Sequence, residues 1–260
     1  MTTALDAYGD ALYTALRERR ALPPLTNDQP SLSIRDAYAI SRRMLARRLS
    51  DGERVVGKKI GATSKVVQNM LSVNQPDFGF LTDAMMFEDG ATLPISSRLI
   101  APRAEGEIAF ELARELRGPG VRARDVLEAT ARVRACFEIV DSRIADWKIK
   151  IQDTIADNAS SGMFVLGREA VSPLEIDFVT CGMVVWKNDE VLSTGAGAAA
   201  LGSPLHCVAW LANALAEHGE VLLPGEIILS GSLVPLEPVR AGDHMRLAVA
   251  GIGTASVRFE

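Results

Sequence analysis

The chain has 260 residues, 48% of them hydrophobic and 23% charged, with a formal net charge of −5. That length and apolar content suit one large domain, or a core domain with an appendage, around a sizeable core. The acidic balance and the lack of a basic stripe exclude a nucleic-acid surface, and no apolar run reads as long enough to cross a bilayer.

The start, Met1 to Asp6, lacks the basic and apolar regions of a signal peptide. Leu5, Tyr8, Leu12 and Leu16 then line one face of a helix over 5–19. The stretch 23–30, with three prolines, is a loop by composition. Ser33 is placed to cap a second helix through Arg48, ending near Asp51-Gly52. Within it, Arg42, Arg43, Arg47 and Arg48 read as a solvated face. Val55 to Ile60 reads as a short strand carrying Lys58 and Lys59 near its end, and Gly61 to Ser64 turns into a helix over 66–71.

From about Pro76 the pattern becomes β-rich, with short apolar segments between Gly and Pro turns. Candidate strands cover 107–112, 137–140, 163–166, 178–186, 191–193, 227–230, 245–249 and 255–259. Lys187-Asn188-Asp189-Glu190 reads as a hairpin turn. Two helices interrupt the series: 124–132, and one that Ser203-Pro204 starts and Gly219 stops. The expected architecture is α+β, a mixed and strongly curved sheet with a helical N-terminal region. The division falls between residues 1–75 and 76–260.

The chemistry-bearing signal is three glutamates. Strand periodicity puts Glu105 and Glu107 on one face and Gly106, Ile108 and Phe110 on the other. Glu138 sits between Phe137 and Ile139 in a run that should be buried, where a carboxylate must be protonated, paired or metal-bound. If the three converge, a hard cation such as Mg²⁺ or Mn²⁺ is the guest that all-oxygen anionic ligands select. A solvated Glu-x-Glu face, with Arg103 or Arg143 pairing Glu138, is the competing reading.

Other segments are weaker. Lys59 beside a flexible turn suits proton transfer if a nearby metal depresses its pKa, or is a solvated strand-end lysine. Asp77, between Pro76 and Phe78, is an acid in a tight turn or ordinary turn chemistry. The cluster 157–161 binds a ligand or simply turns the chain. Gly195 to Gly202 lacks the spacing of a dinucleotide loop, though its amides lead into a helix start and suit a substrate carboxylate. Cys136, Cys181 and Cys207 read as core residues of a cytoplasmic protein. His206, His218 and His244 are too scattered for a zinc site or a triad.

Eight segments, taken in order, resemble one family: 57–64, 74–79, 102–110, 137–143, 146–153, 156–160, 195–204 and 230–235. The chain resembles, end to end, the hydratase/decarboxylase branch of the fumarylacetoacetate hydrolase superfamily. Within that branch it resembles the 2-hydroxypenta-2,4-dienoate (2-keto-4-pentenoate) hydratases. The 74–79 loop, with its acid Asp77, is similar to the hydratase version; Ala62 departs slightly from the bulkier residue usual there. The resemblance implies a mixed β-roll and metal-binding roles for Glu105, Glu107 and Glu138. It also implies active-site roles for Lys59 and Asp77, and a substrate pocket that includes Ser160. It further implies a homo-oligomer that can associate with a partner decarboxylase in the meta-cleavage degradation of aromatic compounds. The implied activity is metal-dependent hydration of 2-hydroxypenta-2,4-dienoate to 4-hydroxy-2-oxopentanoate. The alternatives are 4-oxalocrotonate decarboxylation and a non-catalytic supporting subunit.

Overall fold

The computed structural model describes residues 3–70, 73 and 75–260, the side chains of Val66 and Met70 excepted. The first two residues of the leader reading, Leu71 of the expected 66–71 helix and Asn74 of the 74–79 segment lie outside the described residues. In chain order the elements are helices α1 (Ala4–Glu18), α2 (Leu25–Asp28) and α3 (Ile34–Ser50), strand β1 (Val55–Gly61), α4 (Lys65–Met70), β2 (Asp77–Thr82), β3 (Met86–Glu88), β4 (Thr92–Leu93), α5 (Ile95–Arg98) and β5 (Arg103–Leu112). They continue with α6 (Ala123–Ala129), β6 (Thr130–Val140), α7 (Ile151–Ala156), β7 (Ser161–Leu166), β8 (Gly182–Lys187), β9 (Glu190–Ala196), α8 (Pro204–Ala216), β10 (Ile227–Leu229), β11 (Glu237–Pro238), β12 (His244–Val249) and β13 (Gly253–Phe259).

Local chemistry sets the helix starts. Thr3 with Asp6, and Ser33 with Asp36, form reciprocal capping boxes at α1 and α3. The two helices pack closely at Gly9, where a Cβ would lie 2.6 Å from Arg43 Cβ. Ser203 caps α8, with Pro204 at its first position. The stretch Gly197–Ala216 is long and apolar enough to cross a membrane, contrary to the sequence reading. It begins in a short 3₁₀ turn, and α8 turns Cys207, Val208, Leu211 and Leu215 into the core.

The β-rich part divides into two sheets. One has eight strands, in the order β2-β1-β10-β5-β6-β7-β3 with β11 added to β5; the other runs β4-β13-β12-β8-β9. Both are mixed: β1 with β10, β3 with β7 and β13 with β4 are parallel, the rest antiparallel. Strand β1, which precedes residue 76, lies inside the larger sheet between β2 and β10. The sheets meet where Gly106 leaves room: a Cβ there would lie 2.6 Å from Met183 Sδ of β8. Asn188 and Asp189 both have positive φ in the hairpin joining β8 and β9, as a two-residue turn requires.

Three expectations shift. The helix begun at 123 stops at Ala129, because from Thr130 the backbone pairs with β5. The strand expected from Phe178 starts at Gly182, because the Asp177 carboxylate accepts from Val179 N, Thr180 N and Thr180 Oγ1 and holds 177–180 in a turn. Arg48 is not on a solvated face: it is buried, 2.7 Å from Glu53, and donates to Thr82 Oγ1.

The least exposed cation is Arg143, at 0%. Its guanidinium donates to Asp157 Oδ1 (2.5 Å) and to the carbonyls of Asp141, Ser161 and Asp157. The Asp141 carboxylate in turn accepts from Ile100 N and Ala101 N just ahead of β5. Removing one partner of such a pair strands the other charge. Arg143→Met should therefore lower the unfolding free energy by about 3–5 kcal/mol, read by urea denaturation. A loss below about 1 kcal/mol would show that Asp157 does not depend on the pair.

Candidate metal centre and active site

The β5–β6 register builds the site. Glu105 stands directly opposite Glu138, and Glu107 opposite Cys136. Same-face side chains two apart on one strand therefore converge with one from the neighbour. One carboxylate oxygen from each of Glu105, Glu107 and Glu138 lies within 4.8 Å of the other two. Glu107 and Glu138 are buried, and Glu105 is partly open to a cavity. Glu107 Oε2 accepts from Gly231 N at 2.8 Å. Glu107 Oε1 and both oxygens of Glu138 have no hydrogen-bond partner.

The solvated-face reading is thereby excluded for Glu107 and Glu138. The partner expected for Glu138 is also different. Arg143 is committed to Asp157, and the cation beside Glu138 is Lys59, whose Nζ lies 3.3 Å from Oε1. That contact is an ion pair without hydrogen-bond geometry. Lys59 is buried rather than solvated, and its Nζ donates to the Ala159 carbonyl at 3.1 Å. Asp77 is buried at the start of β2, and its register partner is Gly61 of β1. A Cβ on Gly61 would fall 2.2 Å from Asp77 Oδ1 and 3.3 Å from Lys59 Nζ, so both groups crowd the space this glycine leaves.

Burial dominates the electrostatics. It raises Glu105 to about 7, with Glu138 adding to the shift, and it raises Glu107 well above the usual carboxylate range, with Glu138 and Glu105 adding to it. Glu138 also rises with burial, although Lys59 opposes it. Burial works against the charge on Lys59, but Glu138, Asp77, Glu105 and Glu107 outweigh it and raise its pKa, the opposite of the depression expected from the sequence. Asp77 is raised by burial against the pull of Lys59. One ammonium does not neutralise this many acids. A divalent cation among oxygens that lack donors meets both deficits, so the residues fit a hard metal ion.

The cavity over this cluster has a volume of about 310 Å³. Lys59, Asp77, Glu105 and Ser160 are among its polar lining, and Ala62, Val67, Val140, Ile149 and Leu236 are among its apolar lining. Ser160 is buried, with its hydroxyl 3.3 Å from Thr154 Oγ1. The 157–161 cluster turns the chain, and two of its residues, Ala159 and Ser160, line the cavity. The glycine segment 195–202 offers no free anion site: amides 197, 198, 200, 201 and 202 are bonded to backbone carbonyls. Gly195 and Gly197 are needed for close approach, since a Cβ on either would come within 1.9 Å of a carbonyl oxygen.

Sequence reasoning gave no role to Trp147, whose ring lies under the Arg103 guanidinium at 4.6 Å, or to Thr154; all three line the cavity. The 146–153 segment was a signal, but its loop geometry is not periodic. A larger concavity, about 1250 Å³ between α3 and α8, contains none of the candidate site residues.

The chain is similar to known proteins in sequence and in fold. Residues 55–260 match the family model described as fumarylacetoacetate (FAA) hydrolase C-terminal. The chain is 64% identical over 217 residues to a 2-hydroxypent-2,4-dienoate hydratase of Pseudomonas putida, covering 84% of this chain and 98% of the relative. It is 54% identical to a 2-hydroxyhexa-2,4-dienoate hydratase of Comamonas testosteroni, covering 98% and 97%. Its fold superposes on the 4-oxalocrotonate decarboxylase of Pseudomonas putida G7, complexed with magnesium and adipate, with a TM-score of 0.95 and 37% identity, over 98% and 97% of the chains. The matched segment contains both β5 and β6 and the whole larger sheet, and the chain therefore belongs to the fumarylacetoacetate hydrolase family, in the branch that holds these hydratases and this decarboxylase.

Proposed function

We propose that the chain is a hydro-lyase that converts 2-hydroxypenta-2,4-dienoate to 4-hydroxy-2-oxopentanoate in the meta-cleavage breakdown of aromatic compounds. Mg²⁺ or Mn²⁺ is held by Glu105, Glu107 and Glu138. The observation that carries this reading is the convergence of three carboxylates, two of them buried with unpartnered oxygens, the third (Glu105) lining a cavity that Lys59 and Asp77 also line. The bound ion supplies Lewis acidity for the substrate's carboxylate and 2-oxygen. The hydratase names of the 64% and 54% identical relatives support the activity, and the magnesium of the decarboxylase complex supports a divalent ion.

The chain's own residues handle protons and position. The 2-hydroxyl loses a proton and C5 gains one, giving an α,β-unsaturated ketone. Water then gives its hydroxyl to C4 and a proton to C3. Lys59, kept charged by the carboxylates around it, delivers protons and favours negative charge developing beside it. Asp77, raised toward neutrality by burial, takes and returns a proton in the same space. Ser160 orients the substrate through its hydroxyl, and the apolar wall of Val67, Val140, Ile149 and Leu236 receives the hydrocarbon end. On this reading the chain works in the cytoplasm as a homo-oligomer and associates with a partner decarboxylase. Its three unpaired, buried cysteines are in keeping with a reducing compartment.

Freshly generated 2-hydroxypenta-2,4-dienoate should be consumed, with 4-hydroxy-2-oxopentanoate formed, only while Mg²⁺ or Mn²⁺ is present; ultraviolet absorbance and product analysis read this. CO₂ release from 2-oxohex-3-enedioate without hydration would transfer the assignment to decarboxylation. Inactivity of the pure chain, relieved by a decarboxylase partner, would mark it as a supporting subunit. Glu107→Gln should abolish metal-dependent turnover while the fold persists, because it removes one of three repelling charges. Wild type at a metal concentration about 100 times its Kd should gain about 2.7 kcal/mol of stability, and Glu107→Gln should gain much less. Equal gains in chemical denaturation would sink the metal assignment.

A further inference from the structure

Three consecutive residues without a glycine, Asn158, Ala159 and Ser160, have φ of 56°, 50° and 54°. L-residues avoid this left-handed region, and runs of it are rarer than single instances. All three are buried. Such a conformation persists only where its surroundings over-determine it, and here they do so from three directions.

The Asn158 amide clamps the outer edge of β2: its Oδ1 accepts from Phe80 N at 2.8 Å and its Nδ2 donates to Phe80 O at 2.9 Å. This supplies the two bonds that a further strand would give. Behind the turn, Asp157 is fixed by Arg143, and Asp141 N donates to Ser160 O at 2.8 Å. Beneath it lies Gly79, the register partner of Lys59, where a Cβ would lie 2.4 Å from Asn158 O and 3.2 Å from Ala159 Cβ. The one carbonyl of this turn that meets the site is that of Ala159, which accepts from Lys59 Nζ at 3.1 Å.

We infer that the left-handed turn 158–160 is a positioning element for Lys59, with the strained Ala159 and the Asn158 clamp as its positioning residues. The Ala159 carbonyl takes one of the three N–H bonds of the ammonium, and the attraction of Glu138, 3.3 Å away without hydrogen-bond geometry, holds the ammonium from a second direction. The other N–H bonds stay available to the cavity that Lys59 lines. Neither positioning residue acts on the substrate itself; each acts through the aim of Lys59. The absence of glycine follows from this role. Glycine would adopt the same φ without strain, but it would also allow many others and release the carbonyl from a single direction.

This inference rests on the role proposed for Lys59, so the test separates the two. Ala159→Gly and Asn158→Gly are made in the full chain and compared with Lys59→Met. Ala159→Gly should hold or raise Tm, since glycine suits φ near 50°. It should leave Mg²⁺ affinity and KM unchanged and lower kcat about tenfold or more, the scale on which small misplacements of a proton donor act. Asn158→Gly should shift kcat in the same direction, again without loss of Mg²⁺ affinity. Wild-type kcat in both glycine variants, with Lys59→Met inactive, would overturn the inference and leave the role of Lys59 standing. A kcat loss that only parallels falling Tm or Mg²⁺ affinity would overturn it as well, because the turn would then be purely structural. Full kcat in Lys59→Met would remove the proposed role of Lys59 and this inference with it.

Discussion

Negative charge placed where water does not reach is the constraint on which the rest of this structure depends. Glu107, Glu138 and Asp77 are buried and Glu105 is partly so, while among the described residues the one ammonium beside them is Lys59. Separately, each carboxylate is costly in a medium of low dielectric; together, they repel. Folding with all of them charged is unfavourable until a cation joins them, which couples metal binding to stability. The scaffold tolerates the arrangement because β5 and β6 are held in unbroken register over nine residues, Arg103 to Glu111, so the carboxylates cannot separate without breaking the ladder.

The second organising feature is the buried polar layer behind the site. Arg143 ties three carbonyls and one carboxylate together with no exposure to solvent. Asp141 anchors the chain entering β5, Asp157 anchors the loop leading to β7, and both lie within the reach of the same guanidinium. A fork of five donors suits this task as a lysine would not. The effect is to fix the segment before Glu105 and the turn beside Lys59 to one rigid body. The chemistry of the site then rests on backbone positions that hydrogen bonds settle rather than on mobile loops.

The apolar half of the cavity complements the charged half. Val67, Val140, Ile149 and Leu236 line the same cavity of about 310 Å³ as Glu105, and so does Trp147 with Arg103 stacked on it. A short amphiphilic acid fits such a division, with its oxygens toward the glutamates and its carbon chain toward the aliphatic wall. Val140 pairs with Arg103 in the register, so β5 and β6 supply both polar and apolar lining residues.

The amino-acid sequence by itself determined the local features. The caps at Ser33 and Ser203, the Asn188-Asp189 hairpin, and the shared face of Glu105 and Glu107 follow from hydrogen bonding and periodicity within a few residues. The resemblance in eight segments marked Lys59, Asp77 and Ser160, which periodicity alone left open. Only the tertiary structure decided what lay across long sequence separations. It set Glu138 opposite Glu105, paired Lys59 rather than an arginine with Glu138, and drew Arg48 into the interior beside Glu53 and Thr82. It also fixed the left-handed turn at 158–160, whose residues carry no glycine to announce it. The physical reason is that strand register, buried ion pairing and backbone strain are settled by partners scores of residues away, which no local pattern encodes.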